Sequence, residues 1–341
     1  MRFLLLFVSF LLIFILGIGI GKTYFQNTSF VNPLGKVIEK VQHPLEKYTF
    51  AHLRKTSFPP SVISLGDVVK EETDFSSIKF YFLVDGKKVS GLMNIPTTAG
   101  IYPVLVLFRG FVPKETYTSG EGSRRTAEYF AKQGFITLAP DFLGFGDSEK
   151  GSENGMEDRF QTYTTGLTLL SSIKNLNKTL EATESGSIQA DTTKVGIWGH
   201  SNGGHIALSV LAISGKPYPT VLWNPVSKPF PYSILYFTDE YDDHGKALRK
   251  FVADFEEDYD VEKYSPPNYY KYITAPIQLD QAVDDEEVPL RWSNELNTTL
   301  KELDVDVTYN TYPGENHNFT NGSWQKVVTN SSGFFKEALR I

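Results

Sequence analysis

The chain is 341 residues long, 41% apolar and 14% aromatic, with a formal net charge of −7. This is the composition of a globular protein with room for a large core, and its acidity argues against nucleic acid or another polyanion as partner. Having no cysteine, it cannot use disulfides, a thiolate nucleophile or a Cys-ligated metal. In chain order, the first signal is the run from Phe3 to Ile20, apolar but for Ser9 and uncharged between Arg2 and Lys22. Roughly 18–20 such residues form a helix of about 30 Å, long enough to cross a bilayer. Gly17-Ile18-Gly19-Ile20-Gly21 is a poor match to a small-x-small cleavage site. Residues 1–21 therefore read as an uncleaved transmembrane anchor, with a removed signal peptide as the alternative. A single-pass anchor at this end implies a following domain outside the cytoplasm, although Arg2 against Lys22, Lys36 and Lys40 does not fix the orientation by positive charge.

Residues 22–75, broken by Pro33, Pro44, Pro59 and Pro60, read as a tether. Ile78–Val84 and Val89–Ile95, joined through Asp85-Gly86, predict a β-hairpin. Apolar runs then alternate with helical stretches. Strands are expected at Val104–Phe108, Phe135–Ala139, Thr193–Trp198, Val221–Trp223, Ile277–Leu279 and Val307–Tyr309. Helices are expected at Arg124–Gln133, Gln161–Leu176, Gly204–Ala212, Leu290–Leu303 and Trp324–Leu339. That rhythm implies an α/β catalytic domain over residues 76–341, its mostly parallel sheet covered by helices on both faces. One acidic and aromatic insertion, residues 229–272, interrupts it. It reads either as a lid over the carboxyl edge of the sheet or as a solvated helix pair with acidic outer faces.

The chemistry centres on Gly199-His200-Ser201-Asn202-Gly203, the only Gly-x-Ser-x-Gly in the chain. It lies between a predicted strand and a predicted helix, the context of a nucleophile elbow. A serine hydroxyl needs a base within hydrogen-bond reach. Of the six histidines, His43 and His52 precede the sheet, His200 lies inside the elbow, His205 one turn into the next helix, and His244 in the insertion. His317, in a loop after the last predicted strand, is the candidate base. Its acidic partner is sought after the Ile277 strand among Asp284, Asp285, Glu286 and Glu287, between which composition does not choose.

Three further segments carry a resemblance. Leu138-Ala139-Pro140-Asp141 through Ser148, Ser265-Pro266-Pro267-Asn268-Tyr269 on to Asp285-Glu286-Glu287-Val288-Pro289, and Tyr312-Pro313-Gly314 through His317-Asn318-Phe319 resemble an α/β-hydrolase of the prolyl-oligopeptidase and dienelactone-hydrolase branch. With the elbow they span about three-quarters of the chain. The resemblance implies an α/β-hydrolase fold and a catalytic triad in the order serine, acid, histidine. It implies Asp285 as the acid through Asp-x-x-Val-Pro, with Asp284 second. It also implies backbone N–H groups of Phe111 and Asn202 as oxyanion donors. The sequence departs from the family at Arg109-Gly110 and at Gln281-Ala282, where His-Gly is usual. Arg109 is left as either a structural charge or a substrate contact. The expected protein is a membrane-anchored serine hydrolase acting on peptides, with a small-ester hydrolase as the alternative and a catalytically silent, membrane-tethered binding domain as a reading of another class. It would need no cofactor and no metal.

Overall fold

The computed structural model describes residues 43–181, 187–238 and 242–341. The expected anchor, residues 1–21, lies outside them. Among the described residues no helix is long and apolar enough to cross a membrane.

Among the described residues nine strands form a single sheet: β1 (Ser64–Glu71), β2 (Phe75–Val84), β3 (Lys87–Pro96), β4 (Gly100–Phe108), β5 (Ile136–Pro140), β6 (Ile188–His200), β7 (Thr220–Trp223), β8 (Ile277–Ala282) and β9 (Val307–Tyr312). Their order is β1-β2-β3-β5-β4-β6-β7-β8-β9. The first three strands and β5 pair antiparallel, and β5, β4 and β6 to β9 run parallel. This is an α/β-hydrolase fold. The central strands have side chains buried on both faces, as a parallel sheet requires. Val104, Val106 and Phe108 of β4 enter one core, while Leu105 and Leu107 enter the other, following the two-residue period of a strand.

Six helices of nine residues or more lie among the described residues: α1 (Arg124–Lys132), α2 (Gly155–Ser172), α3 (Asn202–Ser214), α4 (Lys246–Asp258), α5 (Leu290–Glu302) and α6 (Trp324–Ala338). Helix α2 begins six residues before the expected Gln161, because Asn154 caps it: Oδ1 accepts from the N–H of Met156 at 3.0 Å and of Glu157 at 3.1 Å. Parallel registers pair Phe108 with Gly199, His200 with Trp223, and Ala282 with Tyr312. The carboxyl ends of β4, β6, β7, β8 and β9 thus form one edge, and the loops leaving that edge carry the predicted site.

The segment expected as a tether is more ordered than its prolines suggest. The compact unit begins at Leu45, and Leu45, Tyr48, Phe50, Leu53 and Ile63 all enter the main core. Strand β1 lies within the same segment. Its Val68 and Val69 are about half exposed, so it presents no apolar alternation from which to recognise it. The insertion is tied down by aromatic packing: Phe160 of α2 packs with Phe230 (5.6 Å between ring centroids), Phe255 (6.2 Å) and Tyr264 (5.0 Å). Its acidic outer face carries a Lys250–Asp254 pair.

Candidate active site

Ser201 sits at the junction of β6 and α3 with φ 56° and ψ −121°, a conformation strained for any residue with a side chain. The surroundings enforce it. Ser201 N–H donates to the Trp223 carbonyl at 2.9 Å, and its own carbonyl accepts from Val226 N–H at 3.0 Å and Gly204 N–H at 2.9 Å. The two motif glycines are dictated by space. A Cβ on Gly203 would stand 1.9 Å from the Phe108 carbonyl oxygen, and one on Gly199 would stand 2.6 Å from that of Gly203.

His317 and Asp285 are brought together. His317 Nδ1 lies 2.9 Å from Asp285 Oδ1 and 2.8 Å from Oδ2. A carboxylate can only accept here, so Nδ1 carries the proton and Nε2 is left with its lone pair. The Asp285 side chain is wholly out of solvent. It is fixed by N–H groups of Glu287 and Val288, each 2.8 Å from Oδ1, and by Gln281 Nε2 at 3.4 Å from Oδ2. Gln281 stands where the family usually has histidine in the His-Gly pair, and it serves here as a brace. Asp284 turns elsewhere, accepting from Gly314 N–H at 2.8 Å, which shapes the His317 loop.

That loop is tied to the elbow through His200. Its Nε2 donates to the His317 carbonyl at 2.9 Å, and the two imidazole rings stand 4.7 Å apart. Burial, reinforced by His317, pushes the His200 pKa down to about 3. His200 is therefore a neutral strut. His205 is neutral for the same principal reason, its pKa pushed down to about 3 by burial and then by the charge of Arg159. Its Nδ1 donates to the Val226 carbonyl at 3.2 Å, so Nε2 accepts from Tyr163 Oη at 2.9 Å.

A cavity of about 120 Å³ is lined by Arg109, Phe111, Phe142, Phe145, Asn202, the residue after Ser201, and Ile206, among others. Asn202 is the first residue of α3, where a backbone N–H has no partner within the helix. Arg109, left open by the sequence, braces this wall. Its guanidinium donates to the carbonyls of Gly110 at 3.0 Å and Asp141 at 3.1 Å and stacks over Phe145 and Tyr117. Burial lowers its pKa.

With this geometry in view, the comparisons are specific. A family model described as the prolyl oligopeptidase family matches residues 122–341. The chain belongs to the prolyl oligopeptidase family. It is 23% identical over 260 residues to the "Uncharacterized peptidase YtmA" of Bacillus subtilis (strain 168), covering 75% of this chain and 91% of that one. Among solved structures it is similar to acetyl xylan esterase 1 from Thermoanaerobacterium sp. JW/SL YS485, with a TM-score of 0.54, 16% identity, and 86% and 94% of the two chains covered. It is also similar to the Pyrococcus horikoshii acylaminoacyl peptidase, with a TM-score of 0.54, 21% identity, and 78% of this chain covered but only 41% of that one. Family membership makes this chain a serine hydrolase. The structural likenesses show the fold.

In this member of the prolyl oligopeptidase family, elbow, acid loop and histidine loop all fall within the matched region, while Phe111 precedes it. Three residues had no assigned role in the sequence. Asp141, fully buried, accepts from Ser90 Oγ (2.6 Å), Tyr117 Oη (2.7 Å), Ser119 Oγ (2.8 Å) and Gly120 N–H (3.1 Å), and so folds the loop that carries Phe111. Asn224 donates from Nδ2 to the His317 carbonyl at 2.7 Å and accepts at Oδ1 from Ala282 N–H at 2.8 Å, locking the histidine loop to β8. Glu315 accepts from Ser323 N–H at 2.6 Å and Asn321 N–H at 2.9 Å, closing that loop. An aspartate at a strand end was the available signal for Asp141. Nothing local in the sequence singles out the other two.

Proposed function

We propose that the protein is a membrane-anchored serine peptidase acting by acyl transfer. Ser201 is the nucleophile, His317 the base and then the acid, and Asp285 the group that holds the imidazole. The observation carrying this reading is the buried Asp285 carboxylate on His317 Nδ1, at 2.9 and 2.8 Å, which leaves Nε2 as proton acceptor. In the first half-reaction Ser201 Oγ adds to the scissile carbonyl as its proton passes to His317 Nε2. The backbone N–H groups of Phe111 and Asn202 hold the resulting oxyanion, a role in which removing one donor typically costs about 10²–10³-fold in rate. The tetrahedral adduct collapses, the leaving amine takes the proton from Nε2, and an acyl-serine remains. Water then repeats the sequence, with His317 as its base, and releases the acid.

Residues 1–21 would hold this domain at a membrane, with the domain outside the cytoplasm. The insertion at residues 229–272 would shape access: Phe251 of α4 packs toward Gly155, which lines the groove beside Ser201. Peptides come before esters because of the family and because the similar Bacillus protein is named a peptidase. Small-ester hydrolysis is the second reading on the same machinery.

The test is covalent labelling of residues 43–341 with a fluorophosphonate probe, beside the Ser201→Ala variant. Labelling confined to the wild type supports an activated serine, and prolyl amides set against short esters then rank the substrate classes. A folded protein that resists labelling would instead be the silent binding domain. Extraction of the full chain by alkaline carbonate tests the anchor, and release into the soluble fraction would refute it.

A further inference from the structure

A second cavity, of about 160 Å³, adjoins the first at Asn202 and Ile206. It is a groove between two helices. From α2 come Gly155, Asp158, Arg159, Thr162 and Tyr163, and from α3 come Asn202, His205 and Ile206. Both sets follow the i, i+3, i+4 spacing of one helix face, so the groove is built by regular structure and leads directly to the residue after the nucleophile.

Arg159 Nε and Nη2 are both out of solvent contact, with no acceptor among the described residues. Arg159 lines the groove together with Tyr163 and His205. Neither supplies a negative charge, although Tyr163 takes a side-chain hydrogen bond from Arg159. His205 has both ring nitrogens engaged and is neutral, and burial holds the Tyr163 hydroxyl protonated. The nearest acid in sequence, Asp158, also lines the groove, but its carboxylate has other partners. Its Oδ1 lies against Gly151, its carboxylate accepts from the Ser152 backbone, and Lys114 and Lys87 supply its field. Buried N–H groups left without an acceptor are costly in a folded protein. Here they line an open groove that Asn202, the proposed oxyanion donor, also lines.

We propose that Arg159 is the anion-recognition residue of this enzyme, and that its substrates carry a carboxylate close to the scissile carbonyl. The proposal rests on the hydrolase reading above and narrows its substrate class. A guanidinium presents two parallel N–H donors to a carboxylate. A carboxylate placed on Arg159 leaves the adjoining cavity, lined by Phe111, Phe142 and Phe145 among others, for the apolar remainder. Two kinds of substrate fit that chemistry: an acyl group with its own acid, or a leaving group with one.

Matched ester pairs test it. Mono-p-nitrophenyl glutarate against its methyl ester places or masks a carboxylate on the acyl side. 4-Butyryloxy-3-nitrobenzoate against its methyl ester does the same on the leaving group. The readout is the ratio of kcat/KM within a pair, which cancels any general loss of active protein. The wild type should favour the anion in one pair. In Arg159→Gln that ratio should fall on the order of 10–100-fold, the worth of a charge-assisted hydrogen-bond pair, mainly through KM. Arg159→Lys should restore part of it, because the charge survives but the fork does not. No anion preference in the wild type, or a ratio unmoved by Arg159→Gln, would overturn the proposal. Should no ester be turned over at all, the hydrolase reading fails separately. Calorimetric titration with glutarate then decides Arg159: binding present in the wild type and lost in Arg159→Gln upholds it, while equal or absent binding rejects it.

Discussion

Two adjacent aspartates divide the labour at the histidine loop, and their partners show how. Asp285 holds His317 Nδ1 from a position closed to solvent. Asp284 is exposed and receives one backbone N–H, that of Gly314. Asp285→Asn would present an amide that can donate to Nδ1, selecting the tautomer with its proton on Nε2 and removing the lone pair that accepts the serine proton. Turnover should drop by about 10³–10⁴-fold, as expected when a triad acid is neutralised. Asp284→Asn keeps an acceptor oxygen for Gly314 and should stay within a few-fold of wild type. Steady-state kcat/KM and the rate of fluorophosphonate labelling read both variants, and equal losses in the pair would withdraw Asp285 as the acid. At this scale the candidate residues were legible because local chemistry marks them: an elbow by its glycines, a proposed base by elimination among six histidines. Asn224 and Glu315 were not, since a side chain that braces a distant loop leaves no pattern near itself.

At the scale of elements, helix α2 decides most. Its first two turns supply Asp158 and Arg159 to the groove and are begun by Asn154, whose Oδ1 satisfies two N–H groups, while Glu157 and Asp158 complement the helix dipole. Asn154→Ala should cost about 1 kcal/mol of stability and should raise KM more than it lowers kcat, because the groove frays before the elbow moves. Urea unfolding and Michaelis kinetics check the two halves, and an unchanged unfolding midpoint would show that the cap contributes nothing. The sequence placed this helix's start at Gln161 because the polar run Glu157-Asp158-Arg159 hides the apolar period that begins at Met156. It missed β1 for a related reason: an edge strand with both faces largely wet has no alternation to read. By contrast the buried strands, from Val104 to the Ile277 run, were found close to their observed positions, since parallel strands covered on both faces appear as continuous apolar runs. The fold was legible wherever burial was complete, and illegible where an element is half-solvated or starts on charge.

For the whole molecule, three buried titratable groups contribute opposing pH dependences. His200 and His205 have pKa values pushed down to about 3, first by burial, against about 6.5 in an unfolded chain. Below about pH 6.5 the unfolded state binds their protons and the folded state does not. The stability they contribute is therefore complete above that pH and is lost on acidification towards 3, at about 1.4 kcal/mol per pH unit for each. Asp280 acts in the opposite sense. Burial raises its pKa to about 6, so its contribution is full below the unfolded value near 3.9 and is lost as pH rises through 6. Between pH 4 and 6 two slopes favour higher pH and one opposes them, leaving these three groups a net loss of about 1.4 kcal/mol per unit of acidification. His205→Gln should remove one of the two slopes and flatten the acid dependence, whereas Asp280→Asn should remove the opposing one and steepen it by a similar amount. Unfolding free energies from urea titration at pH 4.5, 5.5 and 6.5 separate these outcomes. Parallel curves for wild type and both variants would mean that neither group changes its protonation on unfolding, and the neutral struts behind Ser201 would have to be reconsidered.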